Sequence, residues 1–335
     1  MNLKDILKYL FSFILAGGLL WYVLKEQNLK EVLTSFDTID WKIVLLSMAI
    51  SLMSHYARGL RWGLMLKPLN YKTSGPNLFM ATMSGYAGNL IIPRFGEFFR
   101  CGILQKLSKI PAKTSFGAVV AERAMDLIVF ITLFLIAFLS QFDKLKGMIL
   151  PHFNQQSNSL INKIPYVIIG AIIIIAIGLF LFRIRKRLLQ TALIRKVLML
   201  LQGIIEGMTS VFKLKRKEFG LYFLYTFIIW LTYFYMGYVL FWTLQGTENL
   251  SPVVGFVLMM MGGLGMVLPT PGGTGSYHFF ASHTLMAYGV SNADAIAYAI
   301  LMHTSQTISV IIVGGLSILI ANLKKSENST IEGNE

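Results

Sequence analysis

Apolar runs ending in lysine or arginine recur along the chain. Those over residues 6–24, 41–66, 111–140, 164–182, 219–244 and 293–323 approach or exceed the roughly 20 residues that cross a hydrocarbon core of about 30 Å. They predict an all-α integral membrane protein with about six full transmembrane helices. Two further stretches are apolar but broken: 76–109, containing NLIIPRFGEFFR, and 251–288, containing VLPTPGGTGSYHFF. Proline removes a backbone donor and halts a helix. Non-helical backbone at membrane depth is tolerated only where protein covers it or it lines a wet cavity. Each break therefore predicts a helical hairpin beside a cavity.

Charge orients these elements. Hydrophobic residues make up 55% of the 335 residues, with a mean hydropathy of +0.63, and no polar stretch is long enough for a separate soluble domain. The net charge of +14 sits mostly at the ends of apolar runs or in one connection, so topology explains it and nucleic acid does not. The loop over 25–40 is acidic and belongs outside, with the N-terminus inside. Lys4 and Lys8 flank the first run and no small-residue cleavage site follows it, so it reads as a retained helix. Arg58, Arg61, Lys67 and Lys72 mark the cytoplasmic return, the two arginines being read as snorkelling at a helix end. Both flanks of 76–109 are basic, which favours a hairpin re-entering the cytoplasmic side.

The segment 183–217 carries ten lysines and arginines, Arg183 through Lys217, around an amphipathic pattern. It is expected as a cytoplasmic connector that attracts anionic head groups. The second broken region lies between an outward and an inward crossing, so its hairpin opens outward. Residues 1–323 then form a single transmembrane domain of two halves, about 1–141 and 164–323, arranged as an inverted repeat with re-entrant hairpins. Transporters of that architecture hold substrate near the midplane. Parity equally permits eight transmembrane helices. Residues 324–335 read as a disordered tail, with both termini cytoplasmic.

The breaks also carry chemistry. Arg94, Glu97 and Arg100 recur at three-residue spacing after Asn89 and Pro93, with Gly96 permitting a tight return. Two arginines against one glutamate suit a phosphate or carboxylate, and the guanidinium fork matches phosphate geometry. In the second break Pro269 and Pro271 stop one helix, and Gly272, Gly273 and Gly275 open the next with backbone N–H groups, in principle an anion site. Tyr277 and His278 follow in its first turn. In AERAMD, Glu122, Arg123 and Asp126 lie well inside the hydrocarbon, where ionisable residues are functional candidates by default.

Other classes lack their parts. No His-Glu-x-x-His, Gly-x-Ser-x-Gly or Walker loop is present. His278, His283 and His303 are not spaced as metal ligands, and no metal or cofactor is expected. Cys101 is the single cysteine, so neither an internal disulfide nor a Cys-x-x-Cys site exists.

The ordered motifs GNLIIPRFGEFFR, AERAMD and PTPGGTG resemble the family containing the transmembrane flippase region of lysyl-phosphatidylglycerol synthases, over about residues 5–323. The resemblance implies that Asn89, Pro93, Arg94, Gly96, Glu97 and Arg100 form part of the cavity. It also implies that Glu122, Arg123 and Asp126 match the family's intramembrane charged motif, and Pro269, Pro271, Gly272, Gly273 and Gly275 its Pro and Gly loop. Many members carry glutamate where this chain has His278. The synthases' soluble aminoacyl-transfer domain is not in the sequence, so synthesis of lysyl-lipid is not expected. The expected function is a lipid translocase of the bacterial cytoplasmic membrane, acting on a membrane phospholipid or polyprenyl-linked lipid, with homo-oligomers allowed. The alternatives are an integral membrane transferase with Glu122 as base, or a non-transporting partner of a lipid-modifying enzyme.

Overall fold

The computed structural model describes residues 3–25, 29–142 and 213–332, which are helical with no strand among them. The expected crossing over 164–182 and the amphipathic stretch over 183–212 lie outside the described residues. In chain order the helices are α1 (Leu3–Leu24), α2 (Leu29–Thr34), α3 (Trp41–Leu66), α4 (Gly75–Ile91), α5 (Gly96–Ser108) and α6 (Ala112–Ser140), then α7 (Arg216–Tyr238), α8 (Pro252–Val267), α9 (Ser276–Ala287) and α10 (Asn292–Glu332). Among the described residues four helical stretches are long and apolar enough to cross a membrane: Trp41–Leu69, Ala112–Ser140, Arg216–Thr243 and Asn292–Lys324. The chain is thus a multi-pass helical membrane protein. α10 continues past its apolar part to Glu332, through residues read from sequence as a disordered tail.

Local signals fix the helix ends. Asp40 caps α3 by accepting from the Lys42 amide at 2.8 Å, and Ser74 caps α4 by accepting from Asn77, with Pro76 in the first turn. α4 ends just before Pro93. The turn back into α5 places Arg94 at φ 65°, and the Asn89 side-chain oxygen accepts from the Gly96 amide at 2.7 Å. A Cβ on Gly96 would strike the Gly85 carbonyl oxygen, so only glycine lets α4 and α5 approach this closely.

The two breaks in the sequence thus form two helical hairpins, α4 with α5 and α8 with α9, each followed by a long apolar helix, α6 and α10. α3 packs along α7, and α10 lies against both α4 and α9. The hairpins touch at their tips. Arg94 Nη2 donates to the Val267 carbonyl at 3.1 Å, and a Cβ on Gly272 would meet Leu90.

Candidate functional site

Charged side chains from three helices, α3, α5 and α6, converge beside the first hairpin. Glu122 and Asp126 stand four residues apart on α6 and so share a face. Arg58 Nη1 on α3 donates to Glu122 Oε1 and to Asp126 Oδ2, both at 2.8 Å. Arg61 Nη2, one turn on, donates to Asp126 Oδ1 at 2.6 Å and to Glu122 Oε1 at 3.3 Å. Arg100 of α5 donates to the other Glu122 oxygen at 2.9 Å. α7 completes the shell: Arg58 reaches the Tyr233 hydroxyl and Arg61 the Thr226 hydroxyl, each at 3.1 Å. The Arg100 guanidinium lies 4.6 Å from the centre of the Trp62 ring, within cation–π range.

Burial makes this network consequential. Arg61 and Glu122 are 0% exposed, and Arg58 and Arg100 are buried with them. Charges removed from water are costly unless paired and hydrogen-bonded, and here each carboxylate oxygen has a guanidinium donor. This corrects the reading of Arg58 and Arg61 as snorkelling residues. α3 continues five residues beyond Arg61 to Leu66, about 8 Å at the helical rise, and both arginines turn inward onto α6.

Next to the network lies a small open recess lined by Thr82, Gly85, Tyr86 and Asn89 of α4, Gly96, Glu97 and Arg100 of α5, and Arg123 of α6. Arg123 projects away from Glu122 and pairs with Glu97 at 3.0 Å, its side chain 41% exposed. Together Arg58, Arg61, Arg100 and Arg123 face Glu97, Glu122 and Asp126, four positive groups against three negative. One positive charge is left uncompensated within the cluster. Four polar atoms of the lining are buried without a hydrogen-bond partner: Thr82 Oγ1, Glu97 Oε2, Arg100 Nε and Arg123 Nε.

Of the residues singled out from sequence, Asn89, Gly96, Glu97, Arg100 and Arg123 come together around this recess, with Glu122 and Asp126 directly behind it. Pro93 and Arg94 stand at the hairpin tip instead. Pro269, Pro271, Gly272, Gly273, Gly275, Tyr277 and His278 belong to the second hairpin and do not line the recess. Their loop amides are largely engaged internally: Gly273 donates to Thr270, Thr274 to Pro271, and Gly275 to His278 Nδ1 at 3.3 Å. The His278 ring lies 4.7 Å from that of His303, whose Nε2 is 2.9 Å from the Gly272 carbonyl.

Sequence reasoning passed over Arg58, Arg61, Thr82, Gly85 and Tyr86. For the arginines a signal existed. Arg123 sits about 100° around the helix from Glu122, so the carboxylate face of α6 needed partners from elsewhere. Before residue 183 the chain's other arginines are Arg58, Arg61, Arg94 and Arg100.

Residues 9–314 match the family described as the lysylphosphatidylglycerol synthase TM region. The chain belongs to that family. The curated glycosyltransferase AglD of Haloferax volcanii is 25% identical over 318 residues, which cover 87% of this chain and 50% of that protein. The chain thus spans about half the length of this curated relative.

Proposed function

We propose that this chain moves a phosphate-bearing lipid, or a lipid-linked substrate, between the leaflets of the bacterial cytoplasmic membrane. One observation carries the reading: a recess between α4, α5 and the apolar α6 has an excess positive charge and buried guanidinium N–H and hydroxyl groups without partners. A phosphate oxygen arriving there would accept from Arg100, Arg123 and Thr82, and charge-assisted hydrogen bonds of this kind are the stronger ones. Glu97 orients Arg123, while Glu122 and Asp126 hold Arg100, Arg58 and Arg61 in place. The acyl chains stay in lipid, and alternating exposure of the recess carries the head group across. In this reading both hairpins are re-entrant within an inverted repeat of six full crossings.

The test is native mass spectrometry with lipid identification on protein purified in mild detergent, comparing wild type with Arg100→Ala and Arg123→Ala. Enrichment of one phosphate-bearing lipid class in wild type and its loss in both variants is expected. The same bulk lipid in all three would refute the recess as a head-group site.

A transferase acting on a lipid-linked substrate is the second reading, favoured by the name of the Haloferax relative. The geometry gives it less support. Glu122, its expected base, accepts from Arg58 and Arg61 on one oxygen and Arg100 on the other, which leaves it poorly placed to take a substrate proton. Product formation by purified protein from candidate lipid-linked donors would favour this reading over transport.

A further inference from the structure

From the arginine network at Arg58, a polar seam runs between α3 and α10. On α3, Ser47, Ser51, Ser54 and Arg58 fall on one stripe at helical spacing, with His55 at its flank, and all five are buried. On α10, His303, Gln306 and Ser309 follow at intervals of three. Gln306 Nε2 donates to Ser47 Oγ at 3.1 Å and ties the two helices together. The seam reaches both hairpins. His303 is bonded to the Gly272 carbonyl in the second, while the His55 ring lies tilted 4.3 Å from that of Tyr86, which lines the recess of the first.

Small hydroxyl residues between membrane helices commonly serve close packing, and several here do no more. Ser47 donates to the Met236 carbonyl and Ser54 to that of Ser51. Packing leaves the rest unexplained. His55 Nδ1, Gln306 Oε1, Ser309 Oγ and Thr82 Oγ1 are buried without a partner, Ser309 at 3% and Thr82 at 1% exposure. Two further such atoms, on Tyr222 and Trp230, lie on α7. Buried polar atoms in native proteins are satisfied by protein or water, and inside a membrane an orphan is more costly still. The first four orphans lie on α3, α4 and α10, helices that form or border the two hairpins.

We propose that the seam between α3 and α10 is the route along which the polar head group moves from the first-hairpin recess toward the second-hairpin loop, wetted when the two helices part. The proposal rests on the translocase reading above. Its ligand class is a hydrogen-bonding, phosphate-bearing head group, served along the seam by neutral groups after release from the arginines.

The experiment uses full-length protein in vesicles of phosphatidylglycerol and phosphatidylethanolamine carrying NBD-phosphatidylglycerol, with dithionite quenching as the readout. The double variant Gln306→Leu, Ser309→Ala removes two orphans at nearly constant volume. Ser309→Ala loses only an unpaired hydroxyl, whereas Gln306→Leu also loses the bond to Ser47. Ser309→Ala alone should therefore keep the wild-type thermal transition, and the double variant should melt slightly lower. Translocation should fall about tenfold or more in the double variant. Translocation at the wild-type rate in the double variant would overturn the route. Arg100→Ala in the same vesicles separates the two claims. If it loses translocation while the double variant keeps it, only the seam is wrong; if both keep it, the recess reading is wrong. Independently, Ser309→Cys in a Cys101→Ala background should react with a charged methanethiosulfonate reagent. Complete protection during turnover would also overturn the proposal.

Discussion

Glu122 accepts hydrogen bonds from arginines on two other helices, which makes it the residue whose loss the structure tolerates least. Glu122→Gln leaves Arg58, Arg61 and Arg100 with only Asp126 as an ionised partner. Breaking a buried pair by removing one member costs about 3–5 kcal/mol, so a markedly lower thermal transition in detergent is expected. Arg123→Ala offers the contrast. Its partner is the partly exposed Glu97, and such pairs contribute about 0–1 kcal/mol, so the variant should melt close to wild type while losing its retained lipid. Equal melting losses for both variants would contradict this division between a structural network and a binding residue.

At this scale the sequence was legible where charge stood out against apolar runs. Glu97 and Arg100 were singled out by their spacing after the Pro93 break, and Glu122, Arg123 and Asp126 because ionised groups inside an apolar run need a reason. Arg58 and Arg61 were misread because closeness to a helix end resembles snorkelling, and only the facing carboxylates of α6 show otherwise. Thr82, Gly85 and Tyr86 gave no signal. An uncharged face of a membrane helix looks the same whether it meets lipid, protein or a recess.

Among the elements, the hairpin turns were the most legible. Pro93 with Gly96, and Pro269 with Pro271 and three glycines, place the breaks where the helices stop. What the sequence did not show is what the second loop touches. Gly275, at φ 80°, lies against the α1 backbone, and a Cβ there would strike the Ala16 carbonyl oxygen. Gly275→Ala combines that clash with a backbone region costing about 1–3 kcal/mol for other residues. It should loosen α1 from α9 and speed proteolysis between them; wild-type resistance would show that α1 is not anchored there. Arg94→Ala removes one contact between the hairpin tips, its bond to Val267. Since Arg94 stands outside the recess, lipid retention should persist while the translocation rate changes.

For the molecule as a whole, the positive ends of the apolar runs and the tip-to-tip contact make one geometrical statement. In the proposed topology the hairpins enter from opposite faces, and tips that touch at Arg94 and Val267 meet within the membrane. Lys72→Cys and Lys109→Cys should then label from one side, and Glu248→Cys and Ser291→Cys from the other, each in a Cys101→Ala background. Arg94→Cys should resist impermeant reagents from the side opposite Lys72. Labelling of Arg94→Cys from that side would establish full crossings and eight spanning helices.

Translocation itself decides whether the recess serves transport: NBD-phosphatidylglycerol flux in vesicles containing wild type, Arg100→Ala or Arg123→Ala at equal protein density. Wild-type flux well above protein-free vesicles, falling at least about tenfold in both variants, is the expected result. Equal flux for all three would contradict the assignment of these arginines to the moving head group.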